Sequence, residues 1–338
     1  MKKTFAVLLP LLFVLYGCTS GSVTESTTAA KTTAAAITTA AVEVLAPLET
    51  TATEATRTPE TTAATEKMSV QTTVPVTTAP RVPETVTVPI LMFHHVAETE
   101  GGDWAISAKN FRSKMEFLLA NDFTPIDFDT LIAFVDSKGS LPAKPVCITF
   151  DDGYYSNLSR ALPIVTELEI PITVFIIGGA VRPAGTEPNE YDGLRDKMSA
   201  EELCTMAKSP FIRLAPHTNA LHIIGQDDGT QRINARPLAG ESKAAYTKLF
   251  DADCAAIEEI LAAAGEEAHT VFSYPGGKSH AWSEAVLKNR GYRVTLTTDP
   301  VRVNKVIRGD PASLYLLGRL NVNDATTEKQ LLRYLQKK

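Results

Sequence analysis

The stretch CITFDDGYYSN (residues 147–157) places two carboxylates, Asp151 and Asp152, directly after a run of apolar and β-branched residues. The run is short and ends at a turn signal, which predicts a buried strand that finishes at Phe150. A DDG triplet alone is typical of a turn with side-chain hydrogen bonds. Whether the pair has a chemical role depends on the polar residues elsewhere in the chain.

Seven short apolar and β-branched runs recur from residue 88 onward. They are VPILMF (88–93), VCITF (146–150), ITVFII (172–177), FIRLA (211–215), TVFSY (270–274), RVTLT (293–297) and LYLLGRL (314–320). Amphipathic stretches of helical period separate most of them, for example KAAYTKLFDADCAAIEEILAAAG (243–265). This alternation predicts an α/β fold with a mostly parallel sheet, and seven strands in about 250 residues favour a distorted (β/α)7 barrel over an open sheet.

The N-terminal part has the composition of targeting and linker segments. Residues 1–18 combine two lysines, an apolar run shorter than the roughly 20 residues of a membrane span, and a final Gly-Cys pair, which predicts an export signal. Its last four residues, Leu15 to Cys18, resemble the lipobox of bacterial lipoproteins, with an ordinary secretory signal as the alternative. Residues 19–86 are rich in Thr, Ala and Pro and predict a disordered stalk. We expect residues 87–338 to form the catalytic domain at the cell surface, in or beyond the cell wall, with the lipid anchor as its only membrane contact.

Charge and cysteine usage exclude other classes. The 338 residues carry a net charge of -6, so no basic excess points to nucleic acid. Cys147, Cys204 and Cys254 are scattered, which argues against a CxxC metal or redox site. We expect buried thiols rather than a disulfide framework, and a single disulfide bridge stays open as an alternative.

The expected oligomeric state is a monomer.

Polar residues follow several of the predicted strands, at the point where each strand ends. They are His94 and His95, Asp151 and Asp152, His217, and the Tyr-Pro-Gly-Gly of residues 274–277. In a parallel barrel these ends share one rim, where the active sites of such folds are built. His217 and His222 are five apart, so they do not share a helix face and a turn is expected. A histidine pair alone is usually structural, but with Asp152 it would make an open metal site.

The motifs carry a resemblance. TFDDG (149–153), HTNALH (217–222), FSYPGG (272–277) and LGRLNV (317–322), with PILMFHHV (89–96) upstream, resemble those of the polysaccharide deacetylase, or NodB-homology, family of carbohydrate esterases, family 4. The resemblance spans residues 88–323, and the H-T-x-x-x-H spacing is similar to the branch that contains exported biofilm poly-N-acetylglucosamine deacetylases. It implies a distorted (β/α) barrel and a divalent metal, zinc first, with Co²⁺, Ni²⁺ or Mn²⁺ as alternatives.

The resemblance also implies roles for individual residues. Asp152, His217 and His222 match the metal ligands. Asp151 matches the general base that takes a proton from a metal-bound water. Gly276, next to Tyr274 and Pro275, matches the oxyanion and substrate position, although a plain turn is the alternative for this glycine.

Two departures from the family pattern affect the remaining roles. The arginine that commonly opens the third motif is replaced by Ser273, and Arg319 is the candidate for the missing positive charge. The late histidine that acts as general acid is not visible in LYLLGRLNV (314–322). His94 becomes the leading candidate for the acid, with His95 and His280 as alternatives.

The sequence therefore predicts a hydrolase that removes N-acetyl groups from an amino-sugar polysaccharide outside the cytoplasm. Peptidoglycan and poly-N-acetylglucosamine are the expected substrates, and each lost acetyl group would expose an amine that is protonated at neutral pH. Two alternatives stay open. One is an O-acetyl esterase acting on xylan or a wall polymer. The other is a catalytically inactive, surface-tethered glycan-binding module, which the altered third motif would suit.

Overall fold

The computed structural model describes residues 84–99, 101–189, 196–223 and 232–337. The predicted export signal and nearly all of the predicted stalk lie outside these residues. The first described strand, β1 (Thr85–Thr87), pairs antiparallel with β11 (Lys305–Ile307). It includes two residues on the N-terminal side of the domain boundary that composition predicts.

Strands and helices alternate along the described chain. After β1 the strands are β2 (Ile90–Phe93), β3 (His95–Ala97), β4 (Ala105–Ser107), β5 (Thr124–Pro125), β6 (Pro145–Phe150), β7 (Ile172–Ile176), β8 (Ile212–Pro216), β9 (Val271–Ser273), β10 (Val294–Leu296), β11 and β12 (Leu320–Asn321). The helices are α1 (Ala108–Ala120), α2 (Phe128–Val135), α3 (Leu162–Glu167), α4 (Ala200–Ala207), α5 (Lys243–Ala263), α6 (Ala281–Asn289) and α7 (Glu328–Leu335). This order confirms the α/β class.

The largest sheet is parallel and positions the candidate site. Its strand order is β12, β2, β6, β7, β8, and β5 also pairs with β6. Phe93 lies opposite Phe150 in the ladder, so β2 and β6 end together. Because Ile176 lies opposite Pro216, β7 and β8 also end together. The polar residues that follow these strands are therefore brought to one edge, as the sequence predicts.

Barrel closure remains a prediction. A second parallel pair, β9 and β10, lies next to the large sheet, since β8 contacts β9 and Leu296 bridges to Leu317 just before β12. Within the described residues, however, the hydrogen-bonded ladders fall into separate sheets. The strands follow one another in the sequence order of a (β/α) barrel, and the ladder between β8 and β9 is the point that closure would require.

Six of the seven predicted strands are confirmed within two residues, whereas the run 314–320 is a strand only at its last residue, where Leu320 begins β12. Residues Pro311–Leu314 form a 3₁₀ turn, and Leu316 has a left-handed φ of 58° that breaks an extended run. The backbone of Gly318 pairs with the side chain of Asn304, whose Nδ2 and Oδ1 each lie 2.8 Å from it. At Gly318 the side chain of Asn304 thus takes the backbone hydrogen bonds that a neighbouring strand would otherwise take. An apolar sequence pattern does not reveal such a contact.

Polar caps explain where most helices begin. Side-chain oxygens accept a hydrogen bond from the first-turn backbone in five of them, at Ser107 for α1, Asp127 for α2, Ser199 for α4, Ser242 for α5 and Thr327 for α7. The helical segment that follows β6 begins as a π-helical turn, Asn157–Ala161, and continues as α3. Within the described residues, no helix has both the length and the apolar character needed to cross a membrane.

Three aromatic rings form the packed layer beneath the polar edge. Phe93 and Phe150, the last residues of β2 and β6, stack with ring centroids 5.3 Å apart. Phe111 of α1 meets both of them edge-on, at 5.2 and 5.3 Å. All three rings are fully buried. Cys147 and Cys254 are buried free thiols, as expected, and Cys204 is half-buried on α4.

We expect Phe111→Ala to lower the free energy of unfolding by about 3–5 kcal/mol, because it removes the ring that supports both strand ends and leaves a cavity. Urea denaturation of the full-length protein measures this loss. The matched control is Leu119→Ala on the exposed face of α1, where we expect a change within about 0.5 kcal/mol. Equal losses for the two variants would contradict this role of Phe111.

Candidate metal and catalytic site

A cavity of about 440 Å³ opens at the carboxyl edge of the parallel sheet. Its lining includes His94, Trp104, Asp151, Asp152, His217, His222 and Gly276. Five separate chain segments contribute these residues. The structure therefore brings together the polar residues that the sequence predicts to share one rim.

Backbone geometry sends the two adjacent aspartates in different directions. Asp151 still belongs to the ladder, since its N–H donates to the carbonyl of Phe93 at 2.9 Å. Asp152 and Gly153 are both left-handed, with φ of 75° and 66°. A Cβ on Gly153 would lie 2.9 Å from Cδ1 of Ile176, so this turn needs glycine. Both aspartates line the cavity, but Asp151 pairs with Arg319, while Asp152 lies next to His217 and His222.

Asp152, His217 and His222 form a cluster whose donor atoms all lie within 4.8 Å of one another. The Oδ1 atom of Asp152 is 3.6 Å from Nε2 of His217 and 3.3 Å from Nε2 of His222. Two imidazole nitrogens and one carboxylate oxygen suit zinc and other divalent transition metals. The donor set leaves coordination positions on the cavity side, so the residues fit a catalytic metal ion.

Hydrogen bonding selects the tautomer of His217 that a metal requires. Its Nδ1–H donates to the carbonyl of Ser273 at 2.8 Å, which leaves the Nε2 lone pair facing Asp152. Burial lowers the pKa of His217 to about 4, so the ring is neutral at pH 7. His222 is more exposed. Burial also acts to lower its pKa, but the hydrogen bond and charge of Asp152 outweigh this and raise it.

The second oxygen of Asp152 has partners of its own. Tyr154 donates its hydroxyl to Oδ2 at 3.0 Å, and Nζ of Lys197 lies 3.6 Å from the same oxygen. Burial acts to raise the pKa of Asp152, but His222, Lys197 and His217 hold it well below its usual range. Asp152 is therefore ionised, with Oδ2 held on one side and Oδ1 directed at the histidines.

Arg319 holds Asp151 through a bidentate ion pair inside the protein. Its Nη1 and Nη2 lie 2.7 Å from Oδ1 and Oδ2 of Asp151. The other donors go to the hydroxyl of Thr149 at 3.2 Å, the hydroxyl of Ser273 at 2.8 Å and the carbonyl of Thr297 at 3.0 Å. All five N–H donors of the guanidinium thus have an acceptor. Arg319 supplies the positive charge beside Asp151, and the hydroxyl of Ser273 accepts one of its hydrogen bonds.

The ion pair keeps Asp151 charged although it is only 2% exposed. Burial alone would raise its pKa, but the charge of Arg319, with contributions from His217 and the hydrogen bonds of Arg319, lowers the pKa below its usual value. Oδ2 of Asp151 also lies 3.7 Å from Nε2 of His217. An oriented carboxylate next to a metal-type cluster can accept a proton from water at neutral pH.

His94 is the candidate acid that faces the cavity. Its Nδ1 is buried and has no hydrogen-bond partner, and its ring meets Trp104 edge-on with centroids 4.8 Å apart. Burial lowers its pKa, although Asp151 and Asp152 act to raise it. The two alternatives have other contacts and do not line the cavity: His95 pairs with Ser156 at 3.0 Å, and His280 caps α6 by accepting from the N–H of Trp282.

The residues predicted for the oxyanion and substrate position separate in the structure. Gly276 lines the cavity in a left-handed conformation (φ 56°), where a Cβ would lie 3.2 Å from Nδ2 of Asn234. Tyr274 instead is fully buried, and its hydroxyl donates to Glu284 at 2.8 Å. Pro275 is also buried. The side chains of Tyr274 and Pro275 thus lie outside the cavity lining, and their part in substrate binding stays a prediction.

Several residues of the site are not among the predicted ones. Trp104 lies on the cavity wall while 51% exposed, and Tyr154 and Lys197 contact Asp152. Nζ of Lys197 lies 3.2 Å from the centroid of the Tyr154 ring, so the two side chains support each other. A sequence signal exists only for Tyr154, which follows the DDG triplet directly.

The family model for polysaccharide deacetylases matches residues 138–295 of this chain. The Bacillus subtilis (strain 168) protein YxkH, named for the same family, is 24% identical over 252 residues, which cover 73% of this chain and 76% of that protein. The poly-β-1,6-N-acetyl-D-glucosamine N-deacetylase of Staphylococcus aureus (strain MSSA476) is 26% identical over 228 residues, covering 64% of this chain and 72% of that enzyme.

Solved structures show the same fold. IcaB from Ammonifex degensii aligns with a TM-score of 0.59 at 22% identity, covering 74% of this chain and 97% of that one. A de-N-acetylase from Aggregatibacter actinomycetemcomitans aligns with a TM-score of 0.60 at 20% identity, covering 74% of this chain and all of that one (100%). At these identities the likeness establishes the NodB-type α/β fold.

We expect Arg319→Met to lower the free energy of unfolding by about 3–5 kcal/mol, because it leaves the buried carboxylate of Asp151 without its cation. Arg319→Lys keeps the positive charge but not the two paired hydrogen bonds, so it should lower the free energy of unfolding by less than Arg319→Met does. Urea denaturation at pH 7 with a chelator present measures both. The control is Arg112→Met, which removes an exposed pair with Glu167 and costs less than about 1 kcal/mol. A loss for Arg319→Met no larger than this control would contradict the role of the pair.

Proposed function

The comparisons support membership of the polysaccharide deacetylase family, and from that premise we propose that the protein hydrolyses N-acetyl groups of an amino-sugar polysaccharide with a divalent metal ion. One observation carries the proposal. An ionised carboxylate fixed by Arg319 lies within 3.7 Å of a histidine of the Asp152, His217 and His222 cluster. A binding module has no need for an oriented proton acceptor beside metal ligands.

Poly-β-1,6-N-acetyl-D-glucosamine is the substrate that we propose first. The support is the name and extent of the Staphylococcus aureus relative, 26% identical over 228 residues. The H-T-x-x-x-H spacing of His217 and His222 points to the same branch. Peptidoglycan, the other substrate that the sequence suggests, becomes a comparison in the test.

Asp152, His217 and His222 would hold the ion, and zinc is the ion that we propose. When bound, such an ion supplies Lewis-acid chemistry: it polarises a carbonyl and lowers the pKa of water. The neutral state of His217 and the ionised state of Asp152 are the protonation states that metal binding needs. Neither residue therefore has to lose a proton before it binds a metal ion at neutral pH.

Asp151 acts as the general base. Water adds to the acetyl carbonyl carbon, and its proton goes to the carboxylate of Asp151, which Arg319 holds with both oxygens. Arg319 also prevents Asp151 from swinging towards the metal ligands, so one aspartate binds while its neighbour accepts the proton. The backbone N–H of Gly276 is the proposed donor to the carbonyl oxygen as negative charge develops there.

His94 is the proposed acid for the leaving amine. The carbon–nitrogen bond breaks, acetate leaves, and the sugar nitrogen takes a proton to become a free amine. Because burial lowers the pKa of His94, the ring is neutral at rest; it takes a proton from solvent before it donates one to the amine, and Asp151 returns the proton of water to solvent after turnover. The nearby charges of Asp151 and Asp152 favour that charged form.

We also propose that the protein is exported and lipid-anchored, with residues 19–86 as a tether that holds the domain at the cell surface. The support is the sequence of residues 1–18 and the Thr, Ala and Pro composition of the segment after it. Both segments lie outside the described residues. A monomer remains our expectation.

We expect Asp151→Asn and His94→Gln each to lower kcat for acetate release from poly-β-1,6-N-acetyl-D-glucosamine oligomers by at least about 100-fold, because each removes a proton-transfer group. Metal binding should persist, since neither residue belongs to the ligand cluster. Acetate is measured with the zinc-loaded, full-length protein. The control is His280→Asn, which keeps a cap on α6 and lies outside the cavity, so its activity should equal the wild type.

Three other outcomes would change the proposal. Full activity of His94→Gln would remove His94 as the acid. Release from acetylated xylan but not from N-acetylated oligomers or peptidoglycan would favour an esterase. Zinc bound in a stoichiometric amount without acetate release from any of these substrates would favour a glycan-binding module.

A further inference from the structure

Asp253 interrupts the apolar stripe of the longest helix. The buried face of α5 consists otherwise of Tyr246, Phe250, Cys254, Ile257 and Leu261, and Asp253 lies among them at only 8% exposure. Burial raises the pKa of its carboxyl, although two backbone hydrogen bonds act to lower it. An acid in such a stripe is unfavourable unless its oxygens have a definite task.

Both oxygens of Asp253 accept hydrogen bonds from one short loop. Oδ2 accepts from the backbone N–H of Asn219 at 2.8 Å, and Oδ1 accepts from that of Ala220 at 2.7 Å. Within the described parts of the chain, no lysine, arginine or histidine forms an ion pair with this carboxylate. Its two acceptors therefore serve the loop that carries His217 and His222.

The loop has a conformation that it would not adopt readily by itself. Thr218 is β-branched and has a left-handed φ of 70°, which is a genuine outlier for such a residue. Its hydroxyl is buried without a hydrogen-bond partner. Strain of this kind persists only where the surroundings enforce it.

A second set of hydrogen bonds holds the carbonyl groups of the same loop. The N–H of Gly178 donates to the carbonyl of Thr218 at 3.0 Å, and the N–H of Gly179 donates to that of Asn219 at 2.8 Å. A Cβ on Gly178 would lie 2.5 Å from Oδ1 of Asn219. A Cβ on Gly179 would lie 2.8 Å from the carbonyl oxygen of Asn219. The loop is thus clamped between the turn that follows β7 and Asp253 of α5.

We propose that Asp253 is a positioning residue that holds the His217 to His222 loop in the conformation that binds the metal. The inference rests on the proposed function, because it assumes that these histidines are metal ligands. His217 has an independent support, since its Nδ1–H donates to the carbonyl of Ser273. His222 lies at the far end of the clamped segment, so loss of Asp253 acts mainly on His222.

Metal affinity tests the role directly. The variants are Asp253→Ala, which removes both acceptor oxygens, and Asp253→Asn, which keeps the shape of the side chain and one acceptor oxygen. The control is Asp251→Asn, two residues away on α5 and paired with Arg290 at the surface. The full-length proteins are compared for Zn²⁺ affinity by chelator competition, for the absorption spectrum of bound Co²⁺, and for urea denaturation with the chelator present.

We expect Asp253→Ala to weaken Zn²⁺ binding by about 10- to 100-fold, which is the usual effect of removing a residue that orients a ligand. Asp253→Asn should lie between this variant and the wild type, and Asp251→Asn should equal the wild type. The Co²⁺ spectrum of Asp253→Ala should change, because the coordination of His222 changes. A residue that serves stability alone would alter denaturation and leave the affinity and spectrum of the folded protein unchanged.

A second variant keeps the test decisive if Asp253→Ala does not fold. Gly179→Ala places a methyl group 2.8 Å from the carbonyl oxygen of Asn219, in the same loop, and should also weaken Zn²⁺ binding. Wild-type affinity in both Asp253→Asn and Gly179→Ala would overturn the inference while leaving the deacetylase proposal intact. Failure of the wild type to bind either Zn²⁺ or Co²⁺ would overturn both.

Discussion

The buried ion pair between Arg319 and Asp151 is the interaction on which the rest of the site depends. Arg319 precedes β12 and Asp151 follows β6, so the pair joins the C-terminal part of the chain to the centre of the parallel sheet. The guanidinium also bonds to residues of β6, β9 and the segment after β10. A charge that is 0% exposed is tolerated because each of its donors has an acceptor. Shifting any of these strand ends would leave part of that charge unsatisfied.

This pair also explains why two aspartates can stand side by side without sharing one role. Asp151 remains in the ladder, and its negative charge is balanced by Arg319. The left-handed turn at Asp152 places the Asp152 carboxylate next to His217 and His222. Without Arg319, two carboxylates so close together would repel and one would bind a proton. Arg319 therefore keeps both aspartates ionised. Asp151 can then act as a proton acceptor while its neighbour Asp152 acts as a metal ligand.

Much of the site was predictable because its residues follow strands, and parallel strands that end together bring them to one edge. Asp151, Asp152, His217 and His222 meet as expected. The sequence could predict that Arg319 supplies a positive charge near Asp151. It could not predict the hydrogen bonds of Arg319 to Ser273 and Thr297, because these residues lie at strand ends that are far apart in sequence. Trp104 reaches the cavity and Lys197 reaches Asp152 from segments whose paths no periodicity specifies.

The most direct test of the account is metal-dependent acetate release by the wild-type, full-length protein. Release from poly-β-1,6-N-acetyl-D-glucosamine oligomers would be measured as purified, after chelation, and after one equivalent of Zn²⁺ is restored. The account predicts that activity disappears on chelation and returns with zinc. Acetate release that chelation leaves unchanged would contradict it.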